Sequence, residues 1–179
     1  ILPLRGLVVY PQTLIPLTIG QPRSIRLVDD VVSGNRMIGL VTAKNPELEN
    51  PNPEDLFTVG AVGMVHRLFR AQDGTIRLLV QGITRFKVIE YTQSEPYLQA
   101  KVLKLPEETV EGLEIDALAR NVRDQFEHIA DMIPSIPREL VASIAAIEDP
   151  LQTVYTIANF QRMELSDAQD ILEIDSVNE

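Results

Sequence analysis

Residues 98–133 read LQAKVLKLPEETVEGLEIDALARNVRDQFEHIADMI, and the spacing of their apolar side chains changes at Pro106. Before it, 98–105 is a short apolar stretch of strand type. After it, Ile115, Leu118, Ala119, Val122, Phe126, Ile129, Ala130 and Ile133 recur at i, i+3 and i+4, the period of a helix buried on one side. Glu114, Arg120, Arg123, Asp124, Glu127 and Asp131 take the other faces, and Pro134 ends the run. This change of period divides the chain into a β-rich subdomain, 1–105, and a helical subdomain, 106–179.

Towards the N-terminus, apolar stretches at 14–19, 37–41, 57–69, 76–80 and 86–91 alternate with turn residues and predict strands. Asp73-Gly74 is a hairpin signal. Gly60, Gly63 and Gly82 within strand patterns predict bulges or bends that let a small sheet curl. One helix interrupts the strands: Pro22 suits its first turn, Ile25, Val28 and Val32 form its apolar side, and Gly34 stops it. The segment 44–55, with Pro46, Pro51 and Pro53, is expected to be a mobile surface loop. Towards the C-terminus, Pro137 lies just inside a second helix carrying Leu140, Val141, Ile144 and Ile147. Asp149-Pro150 caps and opens a third, and Ser166 with Gln169 forms the capping box of a fourth. Asp175-Ser176 reads as one more helix start, so the native protein is expected to continue past Glu179. The fold class is α+β: a curled, mostly antiparallel sheet with one helix, followed by a helical bundle.

Composition narrows the chemistry. Of 179 residues, 45% are hydrophobic and 23% charged, the balance of a globular domain. No apolar run approaches the ~18 residues that span a bilayer. Without cysteine there is no disulfide, thiolate site or cysteine nucleophile. His66 and His128 are the two histidines, and neither has metal-ligand spacing around it; both are expected to be ordinary polar residues. Residues 1–105 hold 12 Lys and Arg against 9 Asp and Glu, a balance of +3, whereas 106–179 hold 4 against 17, a balance of −13. The acidic half would repel a phosphate backbone and the basic half is too weakly positive, so nucleic acid is a poor expectation. No phosphate-cradling Gly-rich loop and no Gly-x-Ser-x-Gly elbow occurs. The carboxylates at 107, 108, 111 and 114 lack EF-hand spacing and suit an acidic helix start. No catalytic, cofactor-binding or metal-binding residue is predicted. The chain begins Ile1-Leu2-Pro3 without methionine, which leaves a removed targeting segment open.

Three stretches resemble the N-terminal domain of Lon-type ATP-dependent proteases. The first is Leu2-Pro3-Leu4-Arg5, then Val8-Val9-Tyr10-Pro11 and Ile15-Pro16-Leu17. The second is Asp55-Leu56-Phe57-Thr58-Val59-Gly60, followed by Asp73-Gly74-Thr75 and Leu79-Val80-Gln81-Gly82 to Arg85. The third is Glu148-Asp149-Pro150, then Leu172-Glu173 and 175–179. The matches run through nearly the whole chain in the family's order. The resemblance implies a PUA-like β subdomain followed by a helical bundle. It also implies a parent enzyme: a homo-oligomeric AAA+ ring in the bacterial cytoplasm, or in an organellar matrix if a targeting segment was removed. That enzyme uses ATP and Mg and cleaves misfolded, damaged and selected regulatory proteins at a serine–lysine dyad outside residues 1–179. The domain itself is expected to select substrates and support assembly. A standalone PUA-like module that binds protein or RNA is the alternative.

Binding unfolded chains without a fixed sequence calls for exposed apolar surface, because hydrophobic contact is non-directional. The predicted substrate contacts are Leu14, Ile15 and Pro16 in the proline-punctuated entry segment, with Leu68 and Phe69 beside the hairpin turn. The competing expectation for all five is ordinary core packing.

Overall fold

The computed structural model describes residues 1–107 and 112–175. They form two compact units: Ile1–Pro106 with Met163–Glu173, and the described residues of 107–162 and 174–179. The expected helix start at Ser176 and the carboxylates at 108 and 111 lie outside the described residues.

The first unit is built on strands β1 (Leu2–Leu4), β2 (Leu14–Ile19), β3 (Met37–Thr42), β4 (Val59–Arg70), β5 (Ile76–Gln93) and β6 (Gln99–Lys104). The order along the sheet is β1-β3-β4-β5-β2, with β6 also paired to β5. All pairings are antiparallel except β1 with β3, so the sheet is mixed. Although β1 and β2 stand at opposite ends of that order, Leu2, Leu4, Leu17 and Ile19 line one cleft. The sheet therefore curls. Its bends are legible in the register: β4 slips against β5 between Val62 and Gly63 and again between Val65 and Arg67. Gly63 and its partner Gly82 both stand at the first slip, as expected, whereas Gly60 pairs in register with Phe86 and marks no bulge.

The stretches 76–80 and 86–91 are one 18-residue strand, β5. Gly82 does not break it. A Cβ there would sit 2.1 Å from the Tyr10 carbonyl oxygen, and the crossing segment is bonded to it by Gly82 N–H to Thr13 O and Gln12 N–H to Gly82 O, both 2.9 Å. Glycine is needed for close approach of another backbone rather than for a turn.

Helix α1 (Pro22–Ser33) starts with proline in its first turn and stops at Gly34, as its sequence predicts. It places Leu27 and Val28 in a core with Leu17, Ile38, Val65 and Leu78. A second cluster joins Val41, Leu56, Phe86 and Leu98. The 44–55 segment is tied at its base by Lys44 N–H to Asp55 O, 2.8 Å, and carries a short 3-10 turn at Pro53–Asp55.

The other unit contains α2 (Leu113–Met132), α3 (Arg138–Ala145) and α4 (Pro150–Phe160), which bury Phe126, Ile144 and Ile157 together. Asp149 caps α4 by accepting from Leu151 N–H at 2.9 Å. Pro137 is the N-cap of α3 rather than a residue inside it. Arg123 donates to the Ile147 carbonyl at 2.7 Å and ties α2 to the end of α3.

The last helix, α5 (Leu165–Glu173), departs from the expected division at 105/106, because it belongs with the sheet. Tyr10 Oη donates to Ala168 O at 2.7 Å and Arg85 Nη1 to Leu172 O at 2.9 Å. Gln169 forms no capping box with Ser166: it is buried, and its amide donates to Val59 O (3.0 Å) and to the Glu173 carboxylate (2.8 Å). A helix period reports which side of α5 is apolar, not which neighbour covers it.

Candidate functional site

The β4–β5 hairpin and β2 set the geometry of the predicted contacts. Asp73 Oδ1 accepts from Thr75 N–H (2.9 Å) and Thr75 Oγ1 (2.7 Å), and Gly74 takes φ +83°. These bonds to Thr75 hold the Asp73 carboxyl below its ordinary pKa. Ala71 N–H closes the turn on Thr75 O at 2.9 Å. From this turn β4 and β5 run back together, and β2 pairs with the first part of β5, Leu14 opposite Gln81 through Ile19 opposite Ile76.

Side chains alternate across these three strands. Leu17, Ile19, Val65, Ile76, Leu78 and Val80 point into the core with α1. The opposite face carries three cross-strand rows: Thr18–Arg77–Phe69, then Pro16–Leu79–Arg67, then Leu14–Gln81–Met64–Met37, the last reaching β3. Partners in such rows stand with Cβ atoms roughly 5 Å apart, close enough to form one continuous surface.

The five predicted contacts are thereby separated. Phe69 is 71% exposed on β4 and Leu14 53% on β2, where Pro16 is also exposed, all on the outward rows. Ile15 and Leu68 are half-buried against the α1-side core and belong to the opposite face. For these two, core packing is the observed outcome. Pro16 lies on a strand at the end of the sheet order, where the missing N–H is tolerated.

Sequence reasoning missed Met37 (39% exposed) and Met64 (36%), which continue Leu14's row beyond Gln81. The bulge between Val65 and Arg67 inverts the alternation within β4, so no single period relates Met64 to Phe69. His66 stands at that bulge, with Nε2 2.7 Å from the Gln81 side-chain oxygen, a polar contact in the middle of the face. Methionine is flexible and polarisable, which lets a surface repack around different apolar partners.

Elsewhere among the described residues, no group of three or more His, Asp or Glu is placed to hold a metal ion, and no helix is long and apolar enough to cross a membrane. His128 is an exposed residue of α2.

Comparison with known proteins places these features. The family model of the ATP-dependent protease La (LON) substrate-binding domain matches residues 1–179. The chain is 42% identical over 184 residues to Lon protease 1 of Herpetosiphon aurantiacus and 42% identical over 179 residues to the Lon protease of Dictyoglomus thermophilum. Each match covers 100% of this chain and 22% of the relative, so the chain spans about a fifth of the length of these proteins. In structure it is similar to the N-terminal domain of the Mycobacterium avium complex Lon protease, with TM-score 0.75 and 18% identity over 98% of this chain and 89% of that one. A Lon N-terminal domain protein from Xanthomonas campestris shares the fold more loosely, with TM-score 0.56 and 16% identity over 90% of this chain and 96% of that one.

Proposed function

Because the chain belongs to the Lon protease substrate-binding domain family, we propose that it holds unfolded or damaged polypeptide, weakly and without a fixed sequence, on the outward face of β2, β4 and β5. In this reading the domain performs no bond cleavage itself. It serves a homo-oligomeric, ATP- and Mg-dependent serine protease of the cytoplasm, whose catalytic residues lie outside residues 1–179, and it contributes to assembly of that ring. Repetition of weak sites around a ring raises the effective concentration of a captured chain and supplies avidity.

The carrying observation is that Phe69 and Leu14 stay exposed on one face while the opposite face of the same strands is filled by core. Exposed apolar side chains grouped on one face of a folded domain make that face a candidate interaction site. Covering a Phe side chain contributes about 2 kcal/mol, roughly 30-fold in Kd, so a few such contacts give weak and adaptable binding.

The test is titration of a permanently denatured model protein into the isotope-labelled chain, followed by amide shifts. Shifts are expected at β2, β4 and β5. Phe69→Asp and Leu14→Asp are each expected to weaken binding at least tenfold with the far-UV spectrum unchanged, and the apolar contribution is expected to persist at high salt. Shifts confined to α2, α3 and α4 would defeat the reading.

A further inference from the structure

The outward face is apolar, but its charge is one-sided. Across the three rows, the charged side chains are Arg77 and Arg67, and no Asp or Glu occupies any of the ten positions. Both arginines are exposed, each beside an apolar partner in its row: Arg77 opposite Phe69, and Arg67 opposite Leu79. At the rim, Arg36 donates to the His66 carbonyl at 3.4 Å. Two carboxylates on the neighbouring segments are engaged elsewhere: Asp29 with Arg70, and Asp73 with Thr75 in the turn, where Arg77 acts on it only as a weaker, through-space charge.

We infer that this face selects among apolar segments, preferring those in which Asp or Glu flanks the apolar residues and rejecting those flanked by Lys or Arg. The inference rests on the reading of the face as the polypeptide-binding surface and names the class of segment it takes. The physical reason is complementarity. A segment that covers Phe69, Leu79 and Leu14 brings its flanking side chains against Arg77 and Arg67, where a carboxylate can accept from a planar guanidinium and a lysine meets like charge with no counter-ion on the face. Guanidinium is also weakly hydrated and stacks on aromatic and apolar surface, so it accompanies an apolar contact with little desolvation cost. Apolar burial then sets whether a segment binds, and the arginines set which of two equally apolar segments binds better.

The test uses three synthetic twelve-residue peptides with one common core of Leu, Phe and Val, flanked by Glu, Gln or Lys, titrated into the 179-residue chain at low and high salt. At low salt the Glu peptide is expected to bind roughly three- to tenfold tighter than the Gln peptide, the range for one or two exposed ion pairs, and the Lys peptide to bind weakest. High salt is expected to bring all three to a common affinity, the apolar remainder. The double variant Arg67→Glu, Arg77→Glu is expected to reverse the order, a gain for the Lys peptide that loss of folding cannot imitate. Equal binding of the three peptides at low salt, with shifts still on this face, would overturn the charge selection and leave the apolar reading standing. Absence of binding, or shifts elsewhere, would remove both.

Discussion

Arg85 is the residue whose role is clearest at the scale of single side chains. It is 3% exposed and donates to the carbonyls of Leu172 at 2.9 Å and Pro106 at 3.5 Å, which joins a strand to residues 87 and 21 positions away. A buried guanidinium is tolerated only where acceptors surround it, and removing it leaves those acceptors without their donor. Arg85→Met is expected to lower unfolding free energy by about 3 kcal/mol, read as a shift of the urea midpoint. Arg85→Lys is expected to recover little, because an ammonium cannot span two carbonyls as the planar fork does. Little or no change in either variant would show that α5 is held without Arg85, by its apolar contacts and the bonds of Tyr10 and Gln169. In the sequence Arg85 closes one of the stretches that carry the resemblance, but its strand pattern alone does not distinguish it from Arg77. The carbonyls it bonds at Pro106 and Leu172 are 21 and 87 residues further along, and a local period carries no information at that range.

At the scale of elements, the hairpin turn, α1 and the cap of α4 were legible because each is decided within a few residues: Asp73-Gly74 by backbone freedom, Pro22 and Gly34 by their fixed roles at helix ends, and Asp149 by its own bond to Leu151. The continuity of β5 was not, because glycine has two uses that look alike in sequence. The two can be separated by substitution. Gly74 takes φ +83° with nothing within 4 Å of an added Cβ, so Gly74→Ala is expected to cost about 1 kcal/mol from the backbone alone. At Gly82 the added Cβ would meet the Tyr10 carbonyl oxygen at 2.1 Å, so Gly82→Ala is expected to cost about 3 kcal/mol or more and to disturb amide shifts on both crossing segments. Similar costs at the two positions would mean that the crossing segment yields easily. The candidate face was legible by the same rule of locality. Leu14, Pro16 and Phe69 follow from strand and turn signals, whereas the facing of Ile15 and Leu68 and the addition of Met37 and Met64 depend on register and on a bulge that only pairing reveals.

At the scale of the whole molecule, the two units differ in what holds them. Among the described residues, the sheet unit buries apolar clusters at α1 and at Phe86, and β4 and β5 are paired over nearly the whole length of β4. The helical unit buries fewer large apolar side chains, Ile115, Phe126, Ile144, Tyr155 and Ile157 among them, and α3 is only 8 residues long. Small cores retain less of the hydrophobic stabilisation and short helices depend on their neighbours, so local opening is expected to be easier there. Amide exchange is expected to be slowest in β4 and β5 and fastest in α3, with α2 and α4 between; protection of α3 equal to that of β5 would contradict this. The membership of α5 in the sheet unit has one more consequence, which appears during synthesis. The ribosome delivers all six strands by Lys104, but the carbonyl that Arg85 needs at Leu172 and the amide that Val59 accepts from Gln169 emerge only after the helical unit has been made. At ~5–20 residues per second the nascent sheet waits roughly 3–14 s for its last helix, without the Leu172 carbonyl for Arg85 and without the cover of α5 in the meantime. Residues 107–162 emerge inside that interval as an insertion in an unfinished unit, and the arrival of α5 is the event that ends the wait.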